Sequence, residues 1–418
     1  MAIGDTCTAG RNVSALSVDA ARLLAVAAVA RVSGTERLAL EDACGRVLAD
    51  APRARTNLPP FDNSVMDGYA VRIGDFEGAG PYRFRLSERI IAGDTRPVHL
   101  EKGTAARIFT GAPIPAGADA VIMQESVPRR GSVIEIPTPP RLGLNIRRAG
   151  EDRGRGEPVL PSGLRLTPPR LALLAAAGLA DVLVHERIRV GLFSTGNELR
   201  EPGHTLDHGQ IYNSNRVMLR SLMAEPWIMM TDYGILPDDP EVIRAAIRQA
   251  SASNDIVISS GGVSAGEEDH VLDALKREDA TLEVLKVAIR PGKPLTIGRV
   301  GGALFVGLPG NPYAAAITFL QIARPALRKA AGLLEEIDNW IPAVSGFDYP
   351  RKVGRREYLP VTWDERDSLG RPVLRRLDQG SSASLGPIAL AKGIAVIDPD
   401  IGRVLPGSSL QVEPLLCG

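Results

Sequence analysis

Six carboxylates, Asp62, Asp67, Asp152, Glu198, Asp238 and Asp269, sit in or beside Gly, Pro or Asn turns, off any amphipathic helix face. One such residue is ordinarily a turn-former or a cap. Several that converge would suit magnesium, which takes few carboxylates together with waters and phosphate oxygens. Opposed in charge is Arg290-Pro291-Gly292-Lys293-Pro294, two cations three residues apart on a stiff turn with apolar flanks. A solvated loop is the plain reading of that turn, and a cradle for an oxyanion is the one its flanks favour. The densest polar stretch is LPPFDNSVMDGYAVR, residues 58–72, where two carboxylates, an amide and a hydroxyl surround a single Met.

Three further turns are rich in Gly, Ser and Asn: Ser194-Thr195-Gly196-Asn197-Glu198, Ser259-Ser260-Gly261-Gly262-Val263-Ser264 and Leu308-Pro309-Gly310-Asn311-Pro312. Glycines let backbone N–H groups approach a phosphate, and a helix that follows favours an anion at its N-terminus. Gly262-Val263-Ser264-Ala265-Gly266 also matches the nucleophile elbow of hydrolases, but that chemistry needs a histidine base later in the chain. Only His270 follows Ser264, six residues on, so a serine hydrolase is disfavoured. The cationic turn has Pro294 where a phosphate-binding loop would need Ser or Thr for magnesium. The histidines His99, His185, His204, His208 and His270 are scattered, and His204/His208 read as solvated loop residues.

The elements that must position these turns follow from the apolar pattern. Ser17 caps a helix that runs to about Val32, and Pro168–Leu179 reads as another. Between them, residues 52–150 carry short β-rich runs separated by Pro and Gly turns, which suggests a β insertion into a helical unit. From 187 to 332 strands alternate with helices: strands at Ile188–Phe193, Trp227–Met230, Ile256–Ile258 and Leu304–Val306, helices at Asn215–Met223, Pro240–Ala250, from His270, and from Pro312 to near Ala331. Such alternation predicts a mainly parallel sheet covered on both faces, with ligands beyond the carboxyl ends of its strands. The last 80 or so residues return to short β runs, consistent with a small barrel or sandwich.

At 418 residues the chain is too long for one core, and its 44% hydrophobic content supports globular packing. Lys+Arg and Asp+Glu are both 49, which argues against binding nucleic acid or membrane through bulk charge. Cys7, Cys44 and Cys417 make no CxxC pair, which fits a reducing compartment. No basic stretch followed by an apolar core opens the sequence, and the longest apolar stretch, Leu171 to Val184, is interrupted by Asp181 and is too short for a bilayer. A cytoplasmic location is the expectation.

Taken together, these motifs resemble the molybdopterin molybdenumtransferase (molybdenum insertase) family, which includes the E domain of gephyrin. The matching stretches are Phe61–Val71, Thr110-Gly111-Ala112-Pro113, Arg147–Asp152, Ser194–Glu198, Ser259–Gly266 with Asp269, Lys286–Pro294 and Leu308–Pro312, in the family's order. The resemblance implies an α/β multidomain chain of elongated shape that forms a homodimer. Its units would be a discontinuous helical/mixed linking domain (15–51 and 151–186) and a β-rich inserted domain (52–150). A doubly wound α/β molybdopterin-binding domain (187–335) and a C-terminal small β-barrel (336–418) would follow. It implies insertion of molybdate into adenylated molybdopterin, with release of AMP and with Mg2+ as cofactor. Catalytic roles then fall on Asp67, Thr110, Asp152, Glu198, Asp238 and Asp269, and metal ligation on Asp67, Glu198, Asp238 and Asp269. Cofactor contacts fall on Ser194, Thr195, Gly196, Asn197, Ser260, Gly261, Gly262, Ser264, Lys286, Pro309, Gly310 and Asn311, and molybdate contacts on Arg290, Lys293, Arg355 and Ser381. Asp67 is expected to reach the cleft from the partner subunit. A molybdopterin adenylyltransferase and recipient molybdoenzymes are the implied protein partners.

Two positions depart from the family: Arg290 stands where a lysine is usual, and Tyr313-Ala314 where Val-Ser is usual. An arginine keeps the charge but changes hydrogen-bond geometry. These departures leave open weaker molybdate binding, a tungstate preference or a paralogue with a drifted role. The competing readings are the related molybdopterin adenylyltransferase, disfavoured by the β-rich flanks and the 58–72 stretch, and a molybdopterin-binding scaffold, which would have no need of six carboxylates at turns.

Overall fold

The computed structural model describes residues 15–262, 270–278, 280–334, 339–377 and 383–415. Asp269, Ser264 and Ser381 lie outside the described residues. At the centre is a six-stranded sheet in the order Ile228–Leu236, Ile188–Thr195, Ile256–Ser260, Ala303–Leu308, Pro294–Val300, Thr281–Lys286. The first four strands are parallel and the last two are added antiparallel. Side chains alternate between two buried faces, as the period of a strand demands. Leu192, Ile258 and Val306 join one apolar cluster, while Phe193, Val257 and Phe305 join the other.

Helices cover both faces. The first cluster takes up α1 (Val18–Ala28), α3 (Ser214–Leu222), α6 (Pro312–Thr318) and α7 (Arg324–Ala330). The second takes up α4 (Pro240–Ser253) and α5 (His270–Arg277), while α2 (Pro168–Ala176) lies outside the sheet in a smaller cluster. Capping sets where these helices start: Ser17 accepts from the Ala20 N–H, Asn213 from the Arg216 N–H, and Asp239 from the Glu241 and Val242 N–H groups.

Two sequence expectations need correction. The first helix stops at Ala28, with Val29 already extended. The segment expected as one helix from Pro312 to near Ala331 is broken by a π-helical turn at Phe319–Ala323. Pro325 has no N–H to return to the Gln321 carbonyl, and that freed carbonyl accepts from the Arg22 Nε at 2.9 Å instead. The antiparallel strands Thr281–Lys286 and Pro294–Val300 were not expected, because Pro294 and Gly298 interrupt the β pattern.

A second six-stranded sheet runs in the order Ala120–Met123, Gly68–Val71, Thr104–Ile108, Tyr82–Ile90, Val133–Ile136, Arg129–Arg130. Gly68 is required there by close approach, since a Cβ would lie 2.1 Å from the Ile122 carbonyl oxygen. The regions before and after this sheet are tied by an antiparallel pair, Thr35–Ala39 with Asp181–His185. In the C-terminal region Arg356–Thr362, Val373–Arg376, Ile341–Ser345, Ser409–Pro414 and Gly393–Ile397 pair in turn, and the last returns to the first. That closure makes a barrel rather than a sandwich. The short strand Ile289–Arg290 joins its side, with Arg290 opposite Glu357.

Candidate active site

The four parallel strands end on one edge, and three of the polar turns lie there. Thr195-Gly196, Ser260-Gly261-Gly262 and Pro309-Gly310-Asn311 all line one cleft of about 1040 Å³. Gly261 and Gly262 have φ of 92° and 66°, a conformation that side chains resist, and the Gly261 N–H donates to the Leu308 carbonyl at 3.2 Å, linking two of the turns. Asn215, at the start of α3, ties two of the turns together: its amide donates to Ser260 Oγ at 2.8 Å and to the Gly310 carbonyl at 2.6 Å. Ser194 is buried beneath this edge and does not line the cleft.

The opposite wall comes from the cationic turn and the barrel. Arg290, Lys293 and Arg355 line it with Tyr313, Tyr349 and Glu357. Among the described residues, neither Lys293 nor Arg355 has a carboxylate within ion-pair distance. Lys286 is exposed, pairs through its backbone with Pro294 and does not line the cleft. The Tyr313 hydroxyl donates to the Tyr358 carbonyl of the barrel, and Ala314 beside it is buried. Burial, reinforced by Glu357, pushes the Tyr313 hydroxyl far above the usual phenol range, so it stays a neutral donor. Burial pushes Tyr358 up to about 12.

The acidic residues divide into two groups. Glu198 and Asp238 line the cleft. Asp238 Oδ2 accepts from the Asn197 N–H at 2.8 Å, and Asn197 Oδ1 accepts from the Asp238 N–H at 3.2 Å, so the two loops hold each other reciprocally. Glu198 curls over Gly196, where a Cβ would stand 2.4 Å from Glu198 Oε2. Asp67, Thr110 and Asp152 are not among the residues lining the cleft of their own chain. Asp67 Oδ1 instead accepts both the N–H and the hydroxyl of Thr110 at 2.8 Å, and these bonds hold its carboxyl below the usual carboxylate range. Asp62 is held low by the Ala149 N–H first and also by Arg148, and Asp152 is paired with Arg147. The 58–72 stretch is thereby clamped to the 146–152 turn, through the pairing of Asn63 and Ser64 with Arg147 and Ile146.

Matches to family models run through almost the whole chain. Residues 16–178 match the MoeA N-terminal region (domain I and II), 191–329 a probable molybdopterin binding domain, and 342–415 the MoeA C-terminal region (domain IV). The molybdopterin molybdenumtransferase of Haemophilus influenzae is 34% identical over 401 residues, covering 96% of this chain and 98% of that protein. The chain belongs to the molybdopterin molybdenumtransferase family. Molybdopterin molybdenumtransferase 2 of Mycobacterium tuberculosis is 37% identical over 388 residues, covering 90% of this chain and 94% of its own length. A crystal structure of the molybdopterin biosynthesis protein MoeA from Pyrococcus horikoshii superposes with a TM-score of 0.82 at 29% identity, covering 96% of this chain and 99% of that one.

For a molybdenumtransferase the donor set of the cleft is informative. Among the described residues no group of three or more His, Cys, Asp and Glu could hold a metal ion. Glu198 and Asp238 nevertheless share the cleft, and two carboxylates suffice for magnesium when water and phosphate oxygens complete its shell. Among the cleft residues missed by sequence reasoning are Asn213, Asn215, Tyr349 and Glu357. Asn213 and Asn215 resemble ordinary helix-start residues, and only the turns they face distinguish them.

Proposed function

We propose that this chain inserts molybdate into adenylated molybdopterin and releases AMP, as a cytoplasmic homodimer. The observation that carries the reading is one cleft with glycine-rich turns on one wall and Arg290, Lys293 and Arg355 on the other. The turns at Gly262 and Gly310 offer backbone N–H groups to the phosphates of the nucleotide-linked pterin. The three cations neutralise the molybdate dianion so that the two dithiolene thiols can bond to molybdenum and displace an oxygen, which leaves as water with their protons. Ser381 adds to that oxyanion site on the strength of the resemblance alone, as do Ser264 and Asp269 to theirs.

Glu198 and Asp238 would hold Mg2+, which when bound offsets phosphate charge at the bond to be hydrolysed. Asp67, with Thr110 and Asp152 behind it, enters the cleft from the partner subunit. Support for this is the exposure of Phe61, Val65 and Met66 around a carboxylate already locked in place by Thr110. Exposed apolar groups flanking a fixed charge suit docking better than solvent. No helix among the described residues is long and apolar enough to cross a membrane. Supply by a molybdopterin adenylyltransferase and delivery to recipient molybdoenzymes complete the reading.

The test is to incubate purified protein with adenylated molybdopterin, Mg2+ and molybdate, following AMP and the reconstitution of a molybdoenzyme. Release of AMP that requires molybdate is the expected result. Pterin binding without AMP release would support a scaffold, and turnover with tungstate in preference to molybdate would redirect the oxyanion assignment.

A further inference from the structure

Glu357 has no place in the chemistry outlined above, yet it is among the most completely buried carboxylates and forms part of the cleft wall. Its side chain is 3% exposed, against 49% for Arg290, whose Nη1 lies 3.2 Å from Glu357 Oε1. The same Oε1 accepts from the Tyr349 hydroxyl at 2.8 Å. Arg376 stacks on the far side, with its guanidinium carbon 4.2 Å from the Tyr349 ring centre. On the other oxygen, Arg351 Nε stands 2.9 Å from Oε2, in ion-pair contact without hydrogen-bond alignment, and the Arg351 side chain is 1% exposed. Arg351 in turn donates to the Asp398, Ile401 and Arg355 carbonyls. One buried carboxylate therefore braces both the Arg290 strand and, through Arg351, the turn that carries Arg355.

We propose that Glu357 is a positioning residue for the oxyanion end of the cleft, fixing the Arg290 guanidinium at the junction of the α/β sheet and the barrel. This rests on the molybdate-inserting reading given above. Two guanidinium charges meet one carboxylate, so the cluster keeps a surplus positive charge for a dianion while losing the freedom of a long side chain. Arg290 suits this role where a lysine would not. Its planar fork can face the carboxylate with one edge and the cleft with another, whereas an ammonium has no second edge. The departure at position 290 is then matched by its neighbour across the strand pair, since Arg290 is in register with Glu357.

Positioning and bare charge predict opposite signs. Glu357→Gln removes a negative charge near the oxyanion, so Coulomb attraction alone would lower the KM for molybdate. If Glu357 positions Arg290, the same change raises that KM, by about tenfold for a lost charge-assisted bond, while the KM for adenylated molybdopterin stays within about twofold. In an Arg290→Lys background the added Glu357→Gln change should no longer raise it. Because Glu357→Gln strands the buried Arg351, unfolding is followed in parallel, and Tyr349→Phe serves as the charge-neutral variant. Loss of that one hydroxyl bond should raise the molybdate KM by about threefold with no change for the pterin. A molybdate KM that is unchanged or lower in both Glu357→Gln and Tyr349→Phe overturns the proposal, as does an equal rise with Lys at position 290. If Glu357→Gln does not fold, Tyr349→Phe decides alone. Absence of molybdate-dependent AMP release in the unsubstituted protein would instead overturn the functional reading.

Discussion

Asp67 is the residue whose chemistry is most sharply defined by its surroundings. Thr110 gives it two donors on one oxygen, and these hold its carboxyl below the ordinary carboxylate value. Asp67→Asn keeps the shape but removes the charge, and we expect AMP release to fall by at least ~100-fold, the order seen when a preorganised charge is lost. Thermal unfolding should move by no more than about 2 °C, because a turn-borne residue of this kind carries little of the core. Full turnover in that variant would remove Asp67 from the reaction. Asp67 was marked as a candidate by the sequence alone, because a carboxylate in a Pro- and Gly-bounded turn has no helix face to serve. Glu357 was not, since in Arg356-Glu357-Tyr358-Leu359-Pro360 an acid flanked by an arginine reads as the wet side of an edge strand. The cations that arrive from Arg290 and Arg351, with the Tyr349 hydroxyl, make its burial tolerable.

Elements were read well where a run is apolar throughout, as at Ile256–Ile258, or where a capping acid and a proline open a helix, as at α4 behind Asp239 and Pro240. They were misread where a proline acts through a hydrogen bond four residues away, as Pro325 does on Gln321. At this scale Glu278 makes a test of electrostatics. It follows α5 and takes hydrogen bonds from Arg248 and Arg244 of α4, which hold its carboxyl down at about 2 against an ordinary 4.5. The folded value is the lower one, so the stabilisation is complete above pH 4.5 and fades as pH falls toward about 2. Glu278→Gln should therefore melt below the parent at neutral pH, and the difference should close through that acid window. A difference that is independent of pH would mean the α4–α5 staple works by shape alone. The inserted sheet offers a steric counterpart: Gly68→Ala forces a methyl against the Ile122 carbonyl and should cost roughly 1–3 kcal/mol in denaturant unfolding.

For the whole molecule, the proposed homodimer raises the question of which copy supplies which acid. Glu198 and Asp238 face the cleft of their own chain, while Asp67 lies in the turn just before the Gly68–Val71 strand and is not part of that lining. In the proposed homodimer, two acids of one reaction set on different units of the chain would meet across a two-fold axis, each cleft borrowing Asp67 from its partner. Asp67→Asn and Glu198→Gln would each be inactive as pure dimers. In a heterodimer of the two, one cleft receives both substitutions and the other receives neither. Random re-association of equal amounts makes half of the dimers mixed, each with one intact cleft, so AMP release should recover to about a quarter of the parent value. Co-expression with two distinguishable affinity tags isolates the mixed dimer, where recovery should reach about half. If verified mixed dimers stay inactive while both parents fold and pair, then Asp67 and Glu198 serve the same copy, and the shared cleft must be given up even though the chemistry stands.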